Sequence, residues 1–159
     1  MKLSTKTRYG LRALIELCSG YDGESAVSIG DIARKQGLSE TYLEQLFQKL
    51  RKYGLVKSVR GAQGGYMLSR PPEEISAASI VEALEGNIVF SECLEGVGCD
   101  KSSRCPTRRL WSKVKTSIDS ILEETTLKDL AEDQSLERFQ GGPCTGGTCE
   151  KLSEGKDVP

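Results

Sequence analysis

The chain has 159 residues, a net charge of −1 and no histidine, which excludes catalytic triads of the usual form and the commonest zinc ligand. It has no apolar run long enough to span a bilayer and no signal-peptide apolar region at its N-terminus, so we expect a cytoplasmic protein. Residues 1–70 carry a net charge of +6 and residues 71–159 one of −7. The first half is therefore expected to bind an anionic partner, either nucleic acid or a membrane surface.

Three helices are predicted in the first third of the chain. Apolar residues recur at helical spacing over 5–19, 28–37 and 39–54, and a serine or threonine that can cap the helix stands at the start of each segment. The turn between the second and third helices contains Gly37. Two short helices joined in this way are typical of a helix-turn-helix.

A glycine-rich hairpin follows the third helix. Segments 55–60 and 66–69 alternate apolar and polar residues, with three glycines between them, and this pattern predicts two antiparallel strands. A helix-turn-helix followed by a basic hairpin is the winged-helix arrangement. We therefore predict a mainly α fold with a small β-hairpin, in which residues 1–75 form a winged helix-turn-helix domain that binds DNA and not a membrane.

The second half is predicted to mediate dimerisation. A fourth helix begins at Ser76 or Ser79, a cysteine-containing loop spans about 91–105, and the longest helix runs from Pro106 to about Thr125. Nothing else in the chain is long enough to cover the apolar stripe of the longest helix, so we expect a homodimer. We assign residues 76–131 to this dimerisation region. A short last helix at its end is predicted to precede a disordered tail over 132–159.

Basic residues at the end of the third helix and in the hairpin favour DNA binding. Five of them lie within twelve residues that contain no acidic residue. A basic run alone is most often a solvated helix face, but here it adjoins a helix-turn-helix and a wing. Gln45 suits an adenine edge, Glu44 can accept from a cytosine amino group, Arg60 can enter a minor groove and Arg8 can hold a phosphate. The candidate DNA-binding residues are Arg8, Ser39, Tyr42, Glu44, Gln45, Lys49, Arg51, Arg60 and Gly61.

Three of the six cysteines are evenly spaced in a glycine-containing loop. Cys93, Cys99 and Cys105 form the pattern C-x5-C-x5-C. In a cytoplasmic protein such a group indicates an iron–sulfur cluster or zinc, and either needs a fourth ligand. Cys18 lies among apolar residues and is expected in the core. The remaining pair, at 144 and 149, can supply metal ligands, a reversible dithiol or nothing functional.

Several segments together resemble the IscR-type iron–sulfur cluster regulators, a winged-helix family that also includes the cysteine-metabolism repressor CymR and the nitric-oxide sensor NsrR. The resemblance covers about residues 1–130. The segments that carry it are LSTKTRYG (3–10), LSETYLEQLF (38–47), LRKYGLVKSVRG (50–61), GGY (64–66) and the three-cysteine loop followed by Leu110 and Trp111.

The resemblance implies a dimeric transcription factor with a [2Fe-2S] cluster on Cys93, Cys99 and Cys105. Such a protein would bind operator sites in double-stranded DNA, control cluster-biogenesis genes, and have cluster-assembly proteins as further partners. CymR-like members lack the three cysteines, which favours the IscR type. The alternative is a repressor of the same family that has no cluster or senses another signal, in the manner of CymR or NsrR. Zinc at the same cysteines stays open, whereas a thiol redox enzyme is disfavoured because the chain has neither C-x-x-C nor histidine.

The resemblance leaves the fourth cluster ligand open. IscR has a histidine three residues after the third cysteine, where this chain has Arg108. The aspartate that NsrR takes from its partner's first helix is matched here by Arg8. The candidates that remain are a small exogenous thiol and the side chains of Cys144, Cys149, Glu95, Asp100, Ser102 and Ser103.

Overall fold

The computed structural model describes residues 4–61, 64–86, 94 and 105–140, and side chains within them as far as residue 134. Over these ranges the chain forms six α-helices, a short 3-10 helix and a two-stranded antiparallel sheet. In chain order these elements are α1 (Thr5–Cys18), α2 (Ile29–Gln36), α3 (Glu40–Lys52), β1 (Val56–Val59), β2 (Gly65–Leu68), the 3-10 helix (Pro72–Glu74), α4 (Ala77–Glu85), α5 (Pro106–Glu124) and α6 (Leu127–Gln140). The predicted fold class, mainly α with a small hairpin, is confirmed.

The ends of α2, α3 and α4 follow the local capping signals. The side chains of Ser39 and Ser76 each accept a hydrogen bond from the backbone N–H three residues later, which satisfies a donor that the first turn leaves unpaired. Gly37 ends α2 with φ of +64°, in the left-handed region that glycine adopts without strain. Gly37 and the Ser39 cap together fix the short turn between α2 and α3.

The hydrophobic core lies between α1, α3 and α4. Leu14 from α1 and Phe47 from α3 are fully buried, and Leu84 from α4 is 1% exposed. Leu127, at the start of α6, closes the core with no exposed surface. Each large side chain buried in this way contributes roughly 1.5–3 kcal/mol to burial energy, so the helix-turn-helix depends on α4 and α6 for its stability.

The wing, which is the hairpin formed by β1 and β2, is attached to the helices by a third backbone segment. β1 and β2 pair from Val56 with Leu68 to Val59 with Gly65. Tyr66 also exchanges two backbone hydrogen bonds with Val27, of 2.8 and 2.9 Å. Val27 belongs to the loop before α2, and this third pairing was not predicted from the sequence.

The predicted boundary of the tail at residue 132 was wrong. Helix α6 runs to Gln140, and residues 141–159 lie outside the described residues. The helix begins in tertiary contact, because the backbone N–H of Leu127 donates to the carbonyl of Ile75 at 2.8 Å. A helix that has been nucleated in this way extends at low cost, even through a polar sequence.

Helix α5 leaves apolar side chains in solvent. None of its residues is buried, and Leu110, Trp111 and Ile121 are 54, 43 and 62% exposed. The helix contacts α4 within the chain, but its apolar stripe stays uncovered, as the sequence predicted. None of the helices in the described ranges is long and apolar enough to cross a membrane.

Candidate nucleic-acid interface and cysteine site

The outer face of α3 is a row of polar and basic side chains. Leu43, Leu46, Phe47 and Leu50 are buried, and the 100° turn per residue of an α-helix puts positions 41, 45, 48 and 52 opposite that stripe. These outward residues are all exposed, and they are Thr41, Gln45, Gln48 and Lys52. Of the predicted base-reading residues, Gln45 is the one at the centre of this face. Thr41 and Gln48 were not among the predicted site residues, and Lys52 was counted only in the basic run, although the helical period of the buried stripe was a sufficient signal for their outward position.

Other predicted residues lie at the edge of this face. Glu44 is exposed beside it. The hydroxyl of Ser39 accepts from the backbone N–H of Tyr42 at 3.3 Å, so it serves as a helix cap. The ring of Tyr42 is half-buried and meets the ring of Tyr9 edge to face, with centroids 6.2 Å apart. Packing thus accounts for the positions of Ser39 and Tyr42.

Arg8 is held near α3 through an aromatic pair. Its guanidinium carbon lies 5.5 Å from the centroid of the Tyr9 ring, and Tyr9 packs on Tyr42 of α3. A guanidinium over an aromatic face is attracted by the ring. The structure therefore links Arg8 to α3 through the ring of Tyr9, although positions 8 and 42 are 34 residues apart along the chain.

Lys49 and Arg51 connect α3 to its neighbours. The ammonium of Lys49 donates to the backbone carbonyl of Leu84, at the end of α4, with Nζ to O of 3.1 Å. A guanidinium nitrogen of Arg51 donates to the hydroxyl of Ser58, in β1, at 3.4 Å. The first of these contacts gives Lys49 a role within the fold that its place in the basic run did not indicate.

The wing adds two exposed cations, Lys57 and Arg60. Gly61, which follows Arg60, has φ of +130°, and residues 62 and 63 lie outside the described residues. The ion pairs found between described side chains join Asp31 to Arg34, Glu16 to Lys35 and Asp119 to Lys115. Within the described part of the chain, the cations of α3 and the wing therefore form no ion pair with a carboxylate.

Glu16 forms a buried contact that the sequence did not reveal. The residue is 4% exposed, although a glutamate is almost never buried unless it is paired. Its two oxygens accept from Nζ of Lys35 and Nε2 of Gln36, each at 3.0 Å. This carboxylate holds the end of α2 against α1, and so helps to set the angle of the helix-turn-helix.

Cys105 stands at the N-terminus of α5, directly before Pro106. Its sulfur lies 3.0 Å from the hydroxyl oxygen of Thr107. The hydrogen bond from Thr107 lowers the pKa of the Cys105 thiol, and so do the backbone N–H groups of Arg108 and Thr107 and the charge of Arg108. The N-terminus of a helix favours an anion. These contacts fit the thiolate form that a metal ligand requires.

The other predicted ligands lie outside the described residues. These are Cys93 and Cys99, the tail pair Cys144 and Cys149, and the further candidates Glu95, Asp100, Ser102 and Ser103. The grouping of the three cysteines therefore stays a prediction. Cys18 is half-buried, and burial raises the pKa of its thiol, with Glu73 and Glu132 raising it further. It packs against the core as expected.

The comparison with known proteins decides the family. A family model described as "Rrf2: Iron-dependent Transcriptional regulator" matches residues 3–133. The chain belongs to the Rrf2 family. Rrf2 proteins are transcriptional regulators, so the prediction that this protein is a DNA-binding regulator and not an enzyme is confirmed.

Relatives within the Rrf2 family include regulators named CymR and regulators named IscR. The regulator CymR of Bacillus subtilis is 47% identical over 131 residues, which are 82% of this chain and 90% of CymR. The regulator IscR of Aliivibrio salmonicida is 38% identical over 138 residues, 87% of this chain and 82% of IscR. The solved structure of T. potens IscR is 44% identical, covers 90% of this chain and 93% of its own, and has a TM-score of 0.69. The resemblance to the IscR and CymR regulators is thereby confirmed.

Proposed function

We propose that this Rrf2-family protein is a homodimeric regulator that holds a [2Fe-2S] cluster on Cys93, Cys99 and Cys105 and controls cluster-biogenesis genes according to cluster supply. The observation that carries the proposal is the position of Cys105 at the N-terminus of α5. Its contacts favour a thiolate, and the even spacing of the three cysteines gives it two partners of the same kind.

DNA binding rests on the outer face of α3 and on the wing. Gln45, Gln48 and Thr41 present hydrogen-bonding groups of the kind that contact base edges in a major groove. Lys52 and Arg60 supply positive charge for phosphates or a narrow minor groove. Pairing of two copies through α5 would present two such faces, and an operator with two related half-sites is therefore expected.

The cysteine site rests on the chemistry of its donors. The fraction of protein that carries the cluster would follow the supply of iron and sulfide. Cys105 contributes a thiolate at a helix N-terminus, and the backbone N–H of Arg108 is directed at its sulfur. Arg108 also adds a positive charge beside that sulfur, which favours an anionic site. The fourth ligand comes from the candidates given above, and Arg108 is not one of them.

A cluster-free repressor in the manner of CymR is the second candidate. Two observations favour it: the 47% identity to CymR and the arginine at position 108. Such a protein would keep the DNA-binding face of α3 and the dimer helix α5 but would take its signal from another molecule. Its cysteines would then bind no iron.

The deciding experiment is the visible spectrum of anaerobically purified protein, with iron and acid-labile sulfide counted per subunit. We expect visible absorption with equal iron and sulfide. The Cys105→Ala variant should lose both, whereas Cys18→Ala, a matched control outside the cluster loop, should keep them. Colourless and iron-free protein after anaerobic reconstitution, with DNA binding intact, would contradict the cluster proposal and favour the second candidate. Bound zinc in place of iron would also contradict it.

A further inference from the structure

The last residues of α4, Leu84 and Glu85, contact both helices of the DNA-facing surface. From α3, the ammonium of Lys49 donates to the carbonyl of Leu84 at 3.1 Å. From the start of α1, the hydroxyl of Thr7 donates to Oε1 of Glu85 at 2.5 Å, and Ser4 donates to the same oxygen through its backbone N–H, at 3.2 Å, and through its hydroxyl. We call Leu84 and Glu85 the α4 terminus.

The dipoles of the three helices make these contacts favourable. The carbonyl of Leu84 is among the last four of α4, which have no partner within the helix, and a cation near a helix C-terminus is stabilising. The carboxylate of Glu85 lies at the first turn of α1, where a helix favours negative charge. Each side chain therefore stabilises a helix end other than its own.

The packing beneath the α4 terminus is close. A Cβ atom on Gly10 would lie 2.3 Å from Cδ1 of Leu84, so α1 meets α4 at a position without a side chain. Leu84 is 1% exposed. The same helix, α4, also contacts α5. Helix α4 thus contacts α1, α3 and the helix that we expect at the dimer interface.

We propose that Lys49 and Glu85 are positioning residues, which fix α3 and α1 on the α4 terminus and so set the geometry of the DNA-binding surface. The proposal rests on the proposed DNA-binding function of α3 and deepens it. It reassigns Lys49, because an ammonium that donates to Leu84 acts on the placement of α3, whereas Lys52 on the outer face contacts phosphate.

Salt dependence separates the two roles of a lysine. A side chain that contacts a phosphate releases about one counterion, so its removal lowers the slope of log K against log[salt] by about one. A positioning residue weakens binding through geometry and leaves that slope unchanged. The matched variants are Lys49→Met and Lys52→Met, which keep a long side chain and remove one charge each from the same helix.

The probe is a duplex that the wild-type protein selects from a random-sequence library, titrated at several salt concentrations. We expect Lys49→Met to weaken binding roughly three- to tenfold with the wild-type slope, and Lys52→Met to lower the slope by about one. A slope for Lys49→Met that falls as it does for Lys52→Met would overturn the assignment. If the wild-type protein selects no duplex, the proposed DNA-binding function itself fails, which is a different result.

The role of Glu85 can be tested by whether its removal strengthens or weakens DNA binding. Loss of a negative charge by itself strengthens binding to a polyanion. Glu82, one turn earlier on α4 and exposed, is the matched control. We expect Glu82→Ala to bind as tightly as the wild type or tighter, and Glu85→Ala to bind more weakly. Equal binding by the two variants, with both shown to be folded by circular dichroism, would refute the role of Glu85.

Discussion

Gly65 tests the attachment of the wing, because a third backbone segment lies against it. A Cβ atom at this position would lie 2.1 Å from the carbonyl oxygen of Val27 and 2.6 Å from its carbonyl carbon. Both are backbone atoms, which cannot turn away as a flexible side chain can. The Gly65→Ala variant is therefore expected to push the loop before α2 away from β2.

The cost follows from the contacts that this movement breaks. Val27 and Tyr66 exchange two backbone hydrogen bonds of 2.8 and 2.9 Å, and each bond contributes about 1 kcal/mol to stability. Tyr66 also packs on Phe47, with ring centroids 4.6 Å apart. We expect Gly65→Ala to lower the free energy of unfolding by about 2 kcal/mol, and to weaken DNA binding because Arg60 moves with the wing.

Urea denaturation followed by circular dichroism measures this change, and a DNA titration of the same samples measures the second effect. The control is Gly20→Ala, because nothing lies within 4 Å of a Cβ atom at Gly20. That variant should be as stable as the wild type or slightly more stable. A Gly65→Ala protein within about 0.5 kcal/mol of the wild type would show that the close approach does not hold the wing.

Three further predictions concern other parts of the molecule. Trp111→Glu places a charge on the uncovered stripe of α5 and should give monomer in sedimentation at concentrations where the wild type is a dimer; an unchanged dimer would refute the assignment of this face. Glu16→Ala removes the carboxylate that pairs with Lys35 and should lower the free energy of unfolding in urea by about 1 kcal/mol. An unchanged midpoint of the urea transition would show that the contact does not contribute to stability. Hydrogen bonds from Ser4 and Thr7 lower the pKa of Glu85, so its stabilising effect is complete above the ordinary carboxyl pKa of about 4.3 and is lost as the pH falls through the folded value. The stability difference between the wild type and Glu85→Gln should therefore shrink as the pH falls from the ordinary carboxyl pKa through the lowered folded pKa of Glu85, and a difference that stays constant over that fall would contradict the contact.

Local signals in the sequence determined most of the fold. The side chains of Ser39 and Ser76 satisfy backbone groups within three residues of them, Gly37 ends α2 through its positive φ, and Gly86 ends α4 as expected. The uncovered stripe of α5 follows from apolar spacing along one helix. Such features can be predicted because every atom that decides them lies close by in the chain.

The candidate DNA-binding surface could be predicted only in part. Gln45 could be placed on the outer face of α3 from sequence, and the same period would have found Gln48 and Thr41. The donation from Lys49 to Leu84 could not be predicted, because it joins residues 35 positions apart. In the sequence Lys49 is simply one member of a basic run.

By itself, the sequence determined the winged-helix plan, the exposed apolar stripe of α5 and the three evenly spaced cysteines, because periodicity, capping and spacing are properties of neighbouring residues. Only the tertiary structure decided that Glu16 is buried, that Gly65 lies against Val27, and that the α4 terminus meets α1 and α3. Those contacts exist because folding brings distant segments within hydrogen-bonding distance. The chemistry of a side chain does not indicate which distant backbone or charge it will meet.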